Sequence, residues 1–411
     1  MCAMQKQLRL AAIFAWRTWT VLRRRPWTLV FGLGLLAVEL MVPRNSSYWI
    51  LIGVTALVIV KGLIEIARPA YDDIKQTVEI EPRLRPDGPL LFSYVRPYAD
   101  WETISFGLDQ AIHDPELDAQ LSAARVAVKN HEKLWLPTGE YEKMRALKVS
   151  TLDFDESKVR LETDLLFGAT EVDLRRTLYS AFLVTNRLAG YEYRKKGRQS
   201  EVLPFQDIGI DADGLIPRLS RSKCSNHVGV DVLGISDGRI IMQRQSRRTL
   251  LNSGKIVGSG SGSADWEDLK AAAAEGGDLS AFVRYAMLRE MAEELGLSDS
   301  GKPRLGDIKL IGYSRLTSLG GKPQFYGVAR LPRRVAPRVK GGETLYVDDH
   351  IYEEFDPVDG ISGLRAALDR IETAYRNELA FPLYVTLQMI RQWLRVDTLA
   401  LKWLGMAVPH K

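Results

Sequence analysis

The chain has 411 residues, 46% of them hydrophobic and 26% charged, which excludes a disordered or collagen-like protein and leaves room for two domains. Its 56 Lys and Arg stand against 51 Asp and Glu, but Lys6, Arg9, Arg17, Arg23, Arg24 and Arg25 fall in an N-terminal arm without an acid, so the remainder is close to neutral and no general nucleic-acid-binding surface is implied. Two cysteines, Cys2 and Cys224, cannot build a disulfide framework, and His113, His131, His227, His350 and His410 show no zinc spacing.

In chain order, residues 1–25 form the basic arm, and residues 5–22 have an apolar-basic helical pattern suited to a membrane surface. Two apolar runs follow, Trp27 to Val42 and Tyr48 to Val60, separated by Pro-Arg-Asn-Ser-Ser. The spacing predicts a two-helix transmembrane hairpin over residues 26–68, with Arg23, Arg24, Arg25, Lys61 and Arg68 holding both ends on the cytoplasmic side. The same residues also fit a buried soluble hairpin, or one span with a re-entrant segment, and Glu39 within a span needs a partner. Residues 69–89, rich in proline and mixed charge, read as a linker.

The middle region, residues 90–215, opens on a strand-like stretch from Leu90 to Val95. A helix is predicted from Asp114 to Leu134 and a β-hairpin from Leu147–Phe154 with Val159–Leu165. A second helix is predicted from Leu174 to Leu188 and a basic loop over 192–200. Tyr94, Arg96, Tyr98, Trp101 and that basic loop have the residue types of a nucleotide site, but the same types also serve as ordinary core and surface.

Residues 220–395 carry the chemistry. Asn226 to Ile235 and Arg239 to Arg244 read as two strands joined by a turn at Ser236-Asp237-Gly238. Asp278 to Leu297 reads as a helix that Asp278 or Ser280 caps and Gly296 closes. Glu290, Glu293 and Glu294 then share one helical face, and Arg289 stands four residues before Glu293. Carboxylates so close repel one another, and a divalent cation relieves that repulsion. Magnesium suits oxygen donors and keeps waters that phosphates can displace. A later strand is expected from Phe325 to Leu331 and a helix from Leu383 to Leu394.

The stretch Arg289-Glu290-Met291-Ala292-Glu293-Glu294-Leu295-Gly296-Leu297 resembles the core of the Nudix box, R-E-U-x-E-E-x-G-U, at every fixed position. The resemblance implies an α/β (α+β) Nudix fold, a mixed β-sheet sandwiched between helices; the transmembrane hairpin read from the apolar runs would precede it. It implies a hydrolase that cleaves nucleotide-linked diphosphates. Catalysis would fall to Arg289, Glu290, Glu293 and Glu294, with the three glutamates holding magnesium or manganese. Lys255, Gly258, Gly260 and Gly262, in the glycine-rich approach to the box, would form a substrate and phosphate loop. The full pattern asks for a glutamate at 281 and a glycine at 275, where this chain has Ala281 and Glu275. The segment from Asp265 to Gly277 therefore reads as an insertion, with Glu267 or Glu275 as stand-ins.

As a whole the chain resembles the two-transmembrane Nudix effectors of bacterial anti-phage systems that signal with cyclic oligonucleotides. That likeness implies an effector in the bacterial inner membrane, both termini cytoplasmic. It would bind a nucleotide or cyclic oligonucleotide and self-associate; with the charge confined to the N-terminal arm, no nucleic acid is expected as partner. A tethered housekeeping diphosphate hydrolase and a non-catalytic nucleotide sensor are the alternatives.

Overall fold

The computed structural model describes residues 80–84, 94–139, 141–142, 144–145, 155–189, 191–195, 198–202, 209, 215–247, 249, 251–297, 302–332, 337, 347–397 and 399–406. In chain order its main elements are β1 (Ile80–Leu84), β2 (Glu102–Phe106), β3 (Asp109–His113), α1 (Pro115–Ala123), β4 (Ala127–His131), β5 (Ser157–Leu161) and β6 (Glu171–Leu178). Then come α2 (Tyr179–Val184), β7 (Tyr191–Lys195), β8 (Arg198–Val202), β9 (Gly229–Ser236), β10 (Arg239–Gln245), β11 (Ile256–Val257) and β12 (Gly260–Ser263). The last group is α3 (Trp266–Ala274), α4 (Leu279–Glu294), β13 (Ile308–Leu316), β14 (Lys322–Arg330), β15 (Val347–Glu354), α5 (Gly360–Tyr375), α6 (Phe381–Val396) and α7 (Ala400–Leu404).

The chain divides into two compact units. One comprises Met1–Arg83, Thr138–Asp155 and Glu192–Phe205; the other comprises Leu84–Pro137, Glu156–Tyr191 and Gln206–Lys411. A three-stranded sheet of order β1-β7-β8 belongs largely to the first. The stretch expected to be a basic loop over 192–200 thus contributes to two strands, and the expected linker contains β1.

Among the described residues of the second unit the main sheet has nine strands, with β11-β10-β9-β14-β13-β3-β2 as its path. It is antiparallel except at β9 and β14, which run parallel with Val230 opposite Phe325. Asp237 and Gly238, at φ 43° and 78°, make the tight turn between β9 and β10, a conformation that glycine adopts without strain and aspartate tolerates. One edge of β9 is shared: Ser236 to Gly234 pair with β10, whereas Val232 to Gly229 pair with β12. The sheet forks there, and Ser259 spans the fork, accepting from the Gly234 amide at 2.7 Å and donating to the Ile241 carbonyl.

Side chains alternate across this sheet because successive residues of a strand point to opposite faces. Val230, Val232, Ile241 and Phe325 pack with Phe282, Val283, Ala286, Met287 and Met291 of α4. Leu233, Ile235, Ile240, Met242, Tyr326 and Val328 pack with Leu364, Leu368 and Ile371 of α5 and Leu383, Leu387 and Ile390 of α6. The sheet is therefore covered on both faces. A second sheet in this unit, β4-β6-β5, reaches the first through backbone bridges from Lys158 to Asp265 and from Arg160 to His227.

The fold class expected from sequence is corrected in one respect. Among the described residues no helix is long and apolar enough to cross a membrane. Helices α4, α5 and α6 have 16 residues each and carry charges, short of the roughly 17–25 apolar residues that a span requires. The described fold is a mixed α/β arrangement of sheets and helices, and none of its described helices supports the expected transmembrane hairpin. Residues 26–68 lie outside the described residues, as does the basic arm.

Two helix predictions are also corrected. The helix expected from Asp114 to Leu134 stops at Ala123 and gives way to β4. The start of the one expected from Leu174 to Leu188 is the end of β6, where buried Val172 and Leu174 alternate with the less buried Glu171, Asp173 and Arg175 before the short α2 begins at Tyr179. β5 pairs with β6; the expected partner stretch, Leu147–Phe154, lies outside the described residues.

Candidate functional site

Helix α4 carries the site, and its ends are closed by its own sequence. The Asp278 carboxylate accepts from the Ala281 amide at 2.9 Å and caps the start. At the other end Gly296, at φ 58°, lets the Leu297 amide reach back to the Ala292 carbonyl at 2.9 Å and the Gly296 amide reach Glu293 at 3.1 Å. This paired closure fixes where the last turn, with its glutamates, stops.

The apolar face of α4 lies against β12, and glycine makes that approach possible. A β-carbon at Gly260 would sit 2.7 Å from the Met291 Cα, and one at Gly262 would overlap the Glu290 carboxylate. A β-carbon at Gly258 would sit 3.1 Å from both carboxylate oxygens of Asp231. Two of the glycines expected to make a phosphate loop, Gly260 and Gly262, thus let β12 lie against the carboxylate helix. The Ser261 amide donates to Glu294 Oε2 at 2.7 Å, and the Ser263 amide to Glu290 Oε1 at 3.2 Å. Lys255 is directed elsewhere, its amine donating to the Asn377 carbonyl at 2.7 Å.

Arg289 organises the other predicted residues. Its Nη1 donates to Glu293 Oε2 at 3.0 Å and its Nη2 to Glu290 Oε1 at 3.0 Å. One guanidinium therefore holds two carboxylates and leaves Glu290 Oε2 and Glu293 Oε1 unengaged by it. Glu290 is the less exposed of the two, its side chain 12% exposed against 49% for Glu293. Burial pushes the Glu290 carboxyl above its usual range, against the pull of Arg289 and Lys158. Glu294 turns toward the sheet, where it also accepts from Gln243 of β10.

Sequence reasoning missed three residues here. Asp268 of α3, which is 6% exposed, takes Arg289 Nε on both oxygens at 3.0 and 3.2 Å and Nη2 at 3.1 Å. Asp265 pairs with Arg289 at 3.3 Å and with Lys158, which comes from β5 and also bonds Glu156 at 2.7 Å. Burial raises the Asp265 carboxyl while Lys158 and Arg289 act the other way. It also draws Arg289 and Lys158 down, but the surrounding carboxylates more than offset this and hold both above their ordinary values. Aspartates three apart at a helix start were a visible capping signal. Nothing local marks Lys158, which lies more than a hundred residues from its partner.

Among the described residues no group of three or more His, Cys, Asp or Glu side chains stands arranged to hold a metal ion. The donor chemistry nevertheless suits magnesium. Two carboxylates on one turn, one of them desolvated, each keep an oxygen that Arg289 does not engage, and magnesium commonly takes one or two carboxylates and completes its shell with water and phosphate.

The other sequence candidates lie apart from α4. Tyr94 and Tyr98 are buried around Arg315, whose guanidinium is 4.7 Å from the Tyr98 ring, and Tyr98 donates to Asp164 at 2.6 Å. Trp101 meets Tyr98 edge-on at 4.7 Å. Arg96 is exposed and accepts at its carbonyl from Arg218 at 3.0 Å.

No protein-family model matches the chain, and no curated protein does. Among solved structures the chain is similar to DR0079 from Deinococcus radiodurans, with 14% identity over 41% of this chain and 83% of that one. The TM-score is 0.26, at which the likeness carries no argument.

Proposed function

We propose that the chain is a magnesium-dependent hydrolase of the Nudix type, acting on a diphosphate bridge in a nucleotide-linked substrate. One observation carries this: Arg289 touches Glu290 and Glu293 at 3.0 Å each, and each carboxylate keeps one oxygen clear of it. An arginine that fixes two acids without covering them leaves negative charge directed at a third partner. The order of residues from Arg289 to Leu297 supports the same reading.

Glu290 and Glu293 would hold the ion, and Glu294, tied to Gln243 and Ser261, would keep the last turn seated on the sheet. Bound magnesium would neutralise phosphate charge and acidify water. Water attacks one phosphorus, the bridging P–O bond breaks, and the departing phosphate takes its electron pair. The water's proton passes to a carboxylate of this turn.

The test is a panel of nucleoside-diphosphate-linked compounds incubated with the full chain and magnesium, products separated by charge. Cleavage within the diphosphate, lost on chelation, is expected. Intact substrates across the panel with magnesium or manganese would overturn the proposal.

A second reading has its own observation. Every glutamate of the trio already has a protein donor, so the site is satisfied without turnover. A nucleotide sensor fits that state. Calorimetry with cyclic di- and trinucleotides separates the two: micromolar or tighter binding without cleavage favours the sensor.

A further inference from the structure

Arg289 is a cation set beside two acids that the proposed function needs for another cation. Left to itself, a flexible guanidinium with five donors would lie across both carboxylates and neutralise them. The structure shows what prevents this. Nε and Nη2, on one side of the fork, meet the Asp268 carboxylate, with contacts of 3.0, 3.2 and 3.1 Å. Nη2 also donates to the Ser263 carbonyl at 3.0 Å. The two N–H groups of Nη2 are thus shared among Asp268, Ser263 and Glu290, and it is Nη1 that reaches Glu293.

Asp268 is itself fixed. It is buried, and its Oδ2 accepts from the Asp265 amide at 2.8 Å, so it cannot follow the arginine outward. Asp265 adds a weaker contact at 3.3 Å and is anchored by Lys158. Helix α4 offers no acid of its own one or two turns earlier that could do the same, because position 281 is Ala281 and position 285 is Tyr285.

We propose that Asp268, carried on α3, is a positioning residue for divalent-cation binding: it holds Arg289 back so that Glu290 and Glu293 each keep an oxygen for the ion. This rests on the magnesium-dependent reading of the site. The segment from Asp265 to Gly277 is then a working part of the site, and it supplies its carboxylate through Asp268 and not through Glu267 or Glu275.

The experiment is calorimetric titration of the full chain with Mn2+ alone, substrate absent. Wild type is expected to bind, and Asp268→Asn to bind about tenfold more weakly, in the range typical of groups that orient metal ligands. Asp268→Glu, which restores the charge, is expected to recover most of the loss. In an Arg289→Gln background Asp268→Asn is expected to have no further effect, because the residue acts only through Arg289. That comparison also serves if Asp268→Asn alone does not fold, since it removes both members of the pair. Unchanged Mn2+ affinity in Asp268→Asn, or a tenfold loss that persists without Arg289, overturns the proposal while leaving the proposed function standing. No Mn2+ binding by wild type overturns the magnesium reading itself.

Discussion

Gly262 and Glu290 occupy the same small volume between β12 and α4: any β-carbon at the glycine would overlap the carboxylate. The atoms it would meet are the far end of a flexible side chain, which can swing away at little cost. Gly262→Ala is therefore expected to change unfolding free energy by less than about 1 kcal/mol. The same change moves Glu290 off its position, and misplacement of that size costs on the order of 10²-fold in turnover. Thermal unfolding beside a magnesium-dependent assay reads both, and unchanged turnover would show that Glu290 is not needed where it stands.

Two residues earlier the outcome reverses. A β-carbon at Gly260 would meet the backbone of α4 at Met291, at 2.5 Å from the nitrogen and 2.7 Å from Cα. Backbone cannot rotate away, so the helix must move. Gly260→Ala is expected to destabilise by about 1–3 kcal/mol, as overpacking does. The urea midpoint checks it; no shift would mean that α4 is free to lift off the strand.

The start of α4 depends on one carboxylate. Asp278→Ala removes the cap on the Ala281 amide and is expected to lower stability by about 1 kcal/mol. The effect should appear in chemical unfolding, with Asp278→Asn close to wild type.

Much of this arrangement was legible in sequence because it is local. The β9–β10 turn was marked by Asp237-Gly238, α4 by its cap and by Gly296, and the Arg289–Glu293 pair by four-residue spacing. What escaped was long-range. β5 brings Lys158 to Asp265 from across the chain, and Asp268 meets Arg289 only because α3 packs on α4. The two helix predictions ran past the helices present for a related reason. Pairing decided for strands where local periodicity could not: β4 lies beside the distant β6, and β6 pairs with its neighbour β5.

A buried lysine makes stability depend on pH. Lys322, on the rim of β14, donates to Gln324 at 2.9 Å, and burial brings its amine from 10.5 down to about 7. Below pH 7 both folded and unfolded chains carry the proton, and the folded chain bears the full cost of a buried charge. Between 7 and 10.5 the unfolded chain still binds a proton that the folded chain has released, so this group makes stability rise with pH. The gain of Lys322→Met over wild type is expected to be largest below pH 7 and to shrink by about 1.4 kcal/mol per pH unit above it. Urea unfolding of both proteins at pH 6, 8 and 9 measures the slope. A difference independent of pH would mean that Lys322 stays charged in the folded chain.

The central claim is that Glu290 and Glu293 present charge to an ion that meets a diphosphate. The most direct measurement is the magnesium dependence of diphosphate cleavage in Glu290→Gln and Glu293→Gln, each first shown to be folded. Turnover lower by on the order of 10²-fold, with more magnesium needed for half-maximal rate, is the predicted result. Full turnover at the wild-type magnesium requirement in both variants would contradict it.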